Sequence, residues 1–181
     1  MKRRKKACLI SMLVVMIMLV SQSIAYAEST WESSAKDIDI VQEYSNGKMA
    51  RLNGMPRGSL ISSFEVSITD RGNGTVGLFG SILCHEPMRE VRMNLYLEVW
   101  DAEHSAWAKV ETYKYTWVAA EMQEDLTAAV VSFDVDGLER GRDYRLRGIA
   151  GAYNLENTLQ EAWRADSQSI QVQSLDNYAT E

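Results

Sequence analysis

The sequence predicts an all-β protein: a seven-stranded antiparallel β-sandwich preceded by an N-terminal leader. Three observations lead there. From Ser59 onward apolar residues recur at every second position, the period of a strand with one buried face. Turn-rich stretches of glycine, asparagine and aspartate separate these alternating segments, and no helical period interrupts them. Leu138, Gly141 and Tyr144 then stand three residues apart just before a strand. That spacing suits a tight corner whose tyrosine hydroxyl folds back onto upstream backbone.

The leader is read from charge and hydropathy. Lys2, Arg3, Arg4, Lys5 and Lys6 form a basic start, and Ala7 to Val20 is an apolar run broken only by Ser11. Ala25-Tyr26-Ala27 supplies a small-x-small cleavage pattern, so residues 1–27 are expected to be a signal peptide cut after Ala27. The apolar run is shorter than the ~20 residues a membrane span needs. The expected destination is outside the cell, with no membrane span in the mature chain. Cleavage would leave 154 of the 181 residues. The leader holds five of the 19 basic residues and none of the 25 acids, so 14 against 25 gives the remainder a formal charge of −11. So negative a chain is repelled by nucleic acid and by anionic membranes, and neither is expected as a partner. Cys8 departs with the leader, which leaves Cys84 alone and rules out an intramolecular disulfide. The domain must therefore stand on its hydrophobic core, which a chain of this length can supply.

Residues 28–58 are polar, acidic and turn-rich, with Asn46-Gly47, Asn53-Gly54 and Met55-Pro56-Arg57-Gly58. They are expected to form a mostly irregular acidic spacer holding one short strand at Lys48 to Leu52. The sandwich domain is expected over residues 59–172, with a tail at 173–181. Its first strand sets Ser62, Phe64, Val66 and Ile68 on one face, and Asp70-Arg71-Gly72-Asn73-Gly74 turns the chain back. Thr75 to Cys84 is apolar on both faces and reads as a central, covered strand, with Gly77 and Gly80 marking close backbone approach or a bulge. Val91 to Trp100 alternates most cleanly, and Trp107 to Trp117 follows after the loop Asp101 to Ala106. Thr127 to Val135, Tyr144 to Tyr153 and Ala162 to Val172 complete the seven.

Charge proposes a register for the hairpin formed by the third and fourth strands. With Trp100 opposite Trp107, Glu98 faces Lys109, Tyr96 faces Glu111 and Asn94 faces Tyr113, while Val99, Leu97 and Leu95 meet Ala108, Val110 and Thr112 on the core side. Each such pair contributes about 0.2–1 kcal/mol, and a slip of one residue would reverse every face. The register leaves Lys114 pointing inward. It places Tyr96, Trp100, Trp107, Tyr113, Tyr115 and Trp117 on the face away from the core.

Seven short antiparallel strands and a tyrosine corner before the sixth point to an immunoglobulin-like sandwich. The paired cysteines of that fold are missing, and Trp100 has the wrong parity for its core tryptophan, so the fibronectin type III-like variant fits better. In that variant the strand carrying Arg145 and Arg147 adjoins the hairpin and shows both arginines on the aromatic face. Asn73 to Gly80, Met93 to Asp101 and Tyr144 to Gly148 resemble a family of small exported proteins of Gram-positive, clostridia-like bacteria known only as a domain of unknown function. The resemblance covers Ser59 to Val172. It implies export from a Gram-positive cell and a sandwich fold, and it brings no catalytic residues. Where that family has Thr-Asp-Gly, this chain departs with Ala165-Asp166-Ser167.

Candidate chemistry is sparse. Cys84 and His85 are adjacent, but neighbouring strand residues point to opposite faces, and zinc would need further ligands. Asp134, Asp136, Glu121, Glu124 and Asp125 lack the spacing of an EF-hand. No Gly-x-Ser-x-Gly elbow is present. No catalytic residue, metal or cofactor is expected, and the chain is read as a non-enzyme. The pattern that points to function is the aromatic and arginine set Tyr96, Trp100, Trp107, Tyr113, Arg145 and Arg147, suited to stacking on a glycan or to a protein partner. Two other arrangements fit the same residues. The arginines can close the face by stacking on the rings, or another register can turn several rings into the core.

Overall fold

In the computed structural model residues 31–158 and 160–173 are described; the leader with its cleavage site, and the tail beyond Gln173, lie outside them. From Ala35 onward the described residues belong to one unit, built from eleven strands: β1 (Lys36–Asp37), β2 (Asp39–Ser45), β3 (Met49–Met55), β4 (Ile61–Gly72), β5 (Thr75–Cys84), β6 (Met88–Asp101), β7 (Ala106–Val118), β8 (Ala128–Val135), β9 (Asp143–Asn154), β10 (Gln160–Asp166) and β11 (Ile170–Gln171). One sheet has the order β1-β10-β9-β6-β7, with β11 pairing beside β9; the other has the order β2-β3-β4-β5-β8. The fold is an all-β sandwich. β4-β5-β8 faces β7-β6-β9-β10, the arrangement of an immunoglobulin-like domain whose fourth strand stays beside its third, as expected for the fibronectin-like variant.

The expected count of seven is corrected in two places. The stretch 28–58 is no irregular spacer, because β1, β2 and β3 lie within it. β3 alternates as a half-buried strand should, with Ala50 and Leu52 in the core and Arg51 and Asn53 outside. Asn46-Gly47 makes the hairpin turn: the Asn46 side-chain oxygen accepts from the N–H groups of Lys48 (3.1 Å) and Met49 (2.8 Å). β2 carries no buried residue along its length, and that is why its polarity resembled a spacer. It is an edge strand, and Asp39 and Glu43 guard the edge. The second correction is the last strand, which divides into β10 and β11. Ser167 interrupts it: its N–H donates to the Leu146 carbonyl (2.9 Å) and its hydroxyl accepts from the Leu146 N–H (3.0 Å). One side chain replaces one ladder partner there. The sheets are also not purely antiparallel, since β1 runs parallel to β10.

Between the sheets lies one continuous core. Phe64, Val66 and Ile68 of β4 and Leu78 and Ile82 of β5 meet Met93, Leu95 and Leu97 of β6 and Leu146 and Ala150 of β9. A side chain at Gly80 would come within 2.6 Å of the Met93 sulfur, so the glycine lets the sheets approach, as its place in the strand suggested. The expected corner forms. Tyr144 is buried, and its hydroxyl accepts from the Glu139 N–H (3.0 Å) and donates to the Glu139 carbonyl (3.3 Å). Burial raises the phenol pKa, consistent with a proton held in that bond.

Candidate functional site

The outward face of the β1-β10-β9-β6-β7 sheet carries five of the six residues singled out above. Near the β6–β7 turn the register is as expected: Trp100 opposes Trp107, Val99 opposes Ala108 and Glu98 opposes Lys109. The two indoles meet edge to face with centroids 5.3 Å apart. Beyond that point Val110 is an extra residue, so Leu97 opposes Glu111 and Leu95 opposes Tyr113. The bulge reverses every later side chain of β7. Tyr113 therefore does not belong to the outer face. It lies on the core side with Tyr115 and Trp117, and its ring packs 4.6 Å from Phe133 of the opposite sheet. Its phenol donates to Glu111 (2.7 Å), and burial followed by that hydrogen bond raises its pKa. Lys114, inward in the regular register, is now outside. The bulge exchanges a buried ammonium for three packed rings.

β9 lies beside β6 and sets Arg145 opposite Glu98 and Arg147 opposite Tyr96. Both guanidiniums are engaged. Arg145 Nε lies 2.7 Å from Glu98 Oε2, and Arg147 Nη1 lies 3.2 Å from Glu98 Oε1. Asp166 on β10 takes Arg147 Nε at 3.2 Å and neighbours Arg145 Nη1 at 3.8 Å. The chain of charges continues from Arg164 to Asp37 on β1, 2.6 Å apart. Glu98 is buried at 5 % exposure, and the two guanidiniums supply its carboxylate with charged partners out of water. The Arg145 guanidinium also lies 4.5 Å from the Trp107 ring centre. The residue that organises the face is thus Glu98. Its parity was legible, but its partners are not Lys109 across the hairpin; they belong to a strand forty-seven positions away. At the far end of the face Tyr153 takes Arg92 and Arg89 at 5.1 and 5.7 Å, a second arginine–ring cluster with no local sequence signal.

Chemistry elsewhere is limited. Cys84 is buried while His85 is exposed, so the adjacent pair diverges. Burial, and the charge of Glu161 after it, pushes the Cys84 thiol up to about 12, so it is not a thiolate at neutral pH. His104 is bound to Asp101, Nδ1 to Oδ2, at 2.7 Å. No cluster of three or more His, Cys, Asp or Glu side chains that could hold a metal is found among the described residues. No helix among them is long and apolar enough to cross a membrane. Comparison of the chain with protein-family models and with curated proteins finds no match.

Proposed function

We propose that this is an exported, non-catalytic binding module that holds a glycan or protein ligand at or outside the cell surface, through the face of Trp100, Trp107, Tyr96, Arg145 and Arg147. The observation that carries the reading is the clamp on the platform. Arg145 is fixed at once by Glu98 and by stacking on Trp107, so the aromatic surface is rigid before any ligand arrives. A preorganised contact surface loses little side-chain entropy on binding. The basic start, apolar run and Ala25-Tyr26-Ala27 pattern support export, and the resemblance to small exported Gram-positive proteins goes with it. The raised Cys84 thiol weighs against a cysteine nucleophile.

A second reading is an envelope-associated structural protein without a discrete ligand. It is favoured by the closed charge ladder Glu98–Arg145–Arg147–Asp166, which leaves the two arginines already paired. The double variant Trp100→Ala, Trp107→Ala separates the two. Under the first reading it loses retention on a glycan array or in a cell-wall pull-down while circular dichroism stays that of a folded sheet. Retention equal to wild type favours the second.

A further inference from the structure

The opposite sheet carries a groove that the aromatic face does not explain. It is open, about 480 Å³ in volume, and runs over the outward side of β3, β4, β5 and β8. That is the size of a small-molecule site. Its floor follows from register: Ser67 opposes Phe79 across β4 and β5, Phe79 opposes Ser132 across β5 and β8, and Thr69 opposes Gly77. β5 was expected to be covered on both faces. Instead Phe79 is half-buried at the groove floor, with small residues around it in place of a covering layer.

Two features of this floor point to a ligand. Ser67 is 6 % exposed and lines the groove with its hydroxyl. A ligand hydroxyl seated there can exchange a hydrogen bond with it. Arg71 is the second. Its guanidinium lies across Gly77, where any side chain would stand 2.6 Å from Nε, and it approaches Asp134 only to 3.6 Å, too far for a hydrogen bond. Arg51, on the other wall, is by contrast taken up by Glu65, with Nε and Nη2 each 2.6 Å from a carboxylate oxygen. The groove thus offers a ring platform, the Ser67 hydroxyl beside it, a second hydroxyl on Thr69 and a guanidinium held only by a long ion pair to Asp134.

We infer that this groove binds an acidic sugar, its ring stacked on Phe79, its hydroxyls on Ser67 and Thr69, and its carboxylate on Arg71. Aromatic rings stack on the apolar face of a sugar ring, and a guanidinium recognises a carboxylate through paired donors. The site is separate from the tryptophan face and does not rest on it. The test is a ligand-observed and chemical-shift NMR titration of the full-length chain with D-glucuronate, D-glucose and cyclohexanecarboxylate. Expected is saturable glucuronate binding at β4 and β5, with glucose and cyclohexanecarboxylate each at least ten times weaker. Arg71→Gln, an exposed change that leaves the core untouched, lowers glucuronate affinity about tenfold to the level of glucose. Ser67→Ala weakens glucuronate and leaves cyclohexanecarboxylate unchanged. Trp100→Ala with Trp107→Ala has no effect on any of the three. The inference is overturned by the absence of saturable glucuronate binding, by equal affinity for glucose or cyclohexanecarboxylate, or by an Arg71→Gln protein that binds glucuronate as wild type does.

Discussion

Deleting the Tyr144 hydroxyl removes the two contacts that hold the Glu139 backbone at the corner before β9. A buried hydrogen bond contributes on the order of 1 kcal/mol, so Tyr144→Phe is expected to lose about that much stability in thermal melts, with the fold retained. An unchanged melting temperature would mean that the corner needs no bond. Cys84 is a second test at this scale. Burial raises its thiol to about 12, and the neutral form therefore persists across the usual working range. Iodoacetamide at pH 8 is expected to leave the folded chain's Cys84 unmodified and to label it completely in denaturant, read by intact mass. Rapid labelling of the native protein would contradict the buried position.

Among the elements, β7 shows how one residue decides a face. Val110 is half-exposed and has no partner on β6, yet it determines that Tyr113, Tyr115 and Trp117 pack inward against β8 rather than outward. Deleting Val110 removes the extra residue while Glu98 keeps Lys109 and Leu97 keeps Glu111 as partners, so Tyr113, Tyr115 and Trp117 stay on the core side and Lys114 stays outside. The expected change in stability is small, within about 1 kcal/mol, the worth of one cross-strand pair. Denaturant melts followed by tryptophan fluorescence would measure it. A deletion that unfolds the domain or loses several kcal/mol would show that the bulge does more than set the phase of β7. β2 and β3 teach a complementary lesson. The turn signal at Asn46-Gly47 and one short strand at Lys48 to Leu52 are legible in the sequence, but the hairpin is not, because β2 has no apolar period where neither of its faces is covered. Periodicity reports burial, and a strand that buries nothing is silent.

Across the whole molecule the two sheets are tied at one end by Glu161. It sits on β10 of one sheet, and its carboxylate accepts from Ser59 N–H and from Ile61 N–H (3.1 Å) where the chain enters β4 of the other. Burial raises the carboxyl pKa, but the hydrogen bonds from Ser59, Ile61 and Leu60 outweigh it and hold the group below its ordinary 4.5. A carboxyl with a depressed folded pKa stabilises the protein fully above its unfolded value and loses that contribution as pH falls through the lower folded value. Glu161→Gln is therefore expected to cost about 1–2 kcal/mol at pH 7, the scale of hydrogen bonds to a charged acceptor moderated by partial exposure. The gap between wild type and variant should close on acidification toward pH 3 in urea melts. A gap that is constant with pH would assign the effect to packing.

What the amino-acid order determined by itself was whatever depends on neighbours along the chain. Alternation set most strands of the domain and their inward faces, that of β7 only as far as its bulge; Leu138, Gly141 and Tyr144 set the corner, and charge set the first pairs of the β6–β7 hairpin. Five of the six chosen site residues share one face for the same reason, since period two needs no tertiary knowledge. Only the tertiary structure decided the rest. A bulge has no distinct composition, so Tyr113 could be placed only once β8 offered Phe133 as a partner. Glu98 was assigned to Lys109 across the turn, but β9 brought two guanidiniums to its other side, and a buried carboxylate takes the partners that are themselves shielded from water. The groove over Phe79 is likewise a property of four strands laid side by side, where small residues from separate strands leave a space that no single stretch of sequence describes.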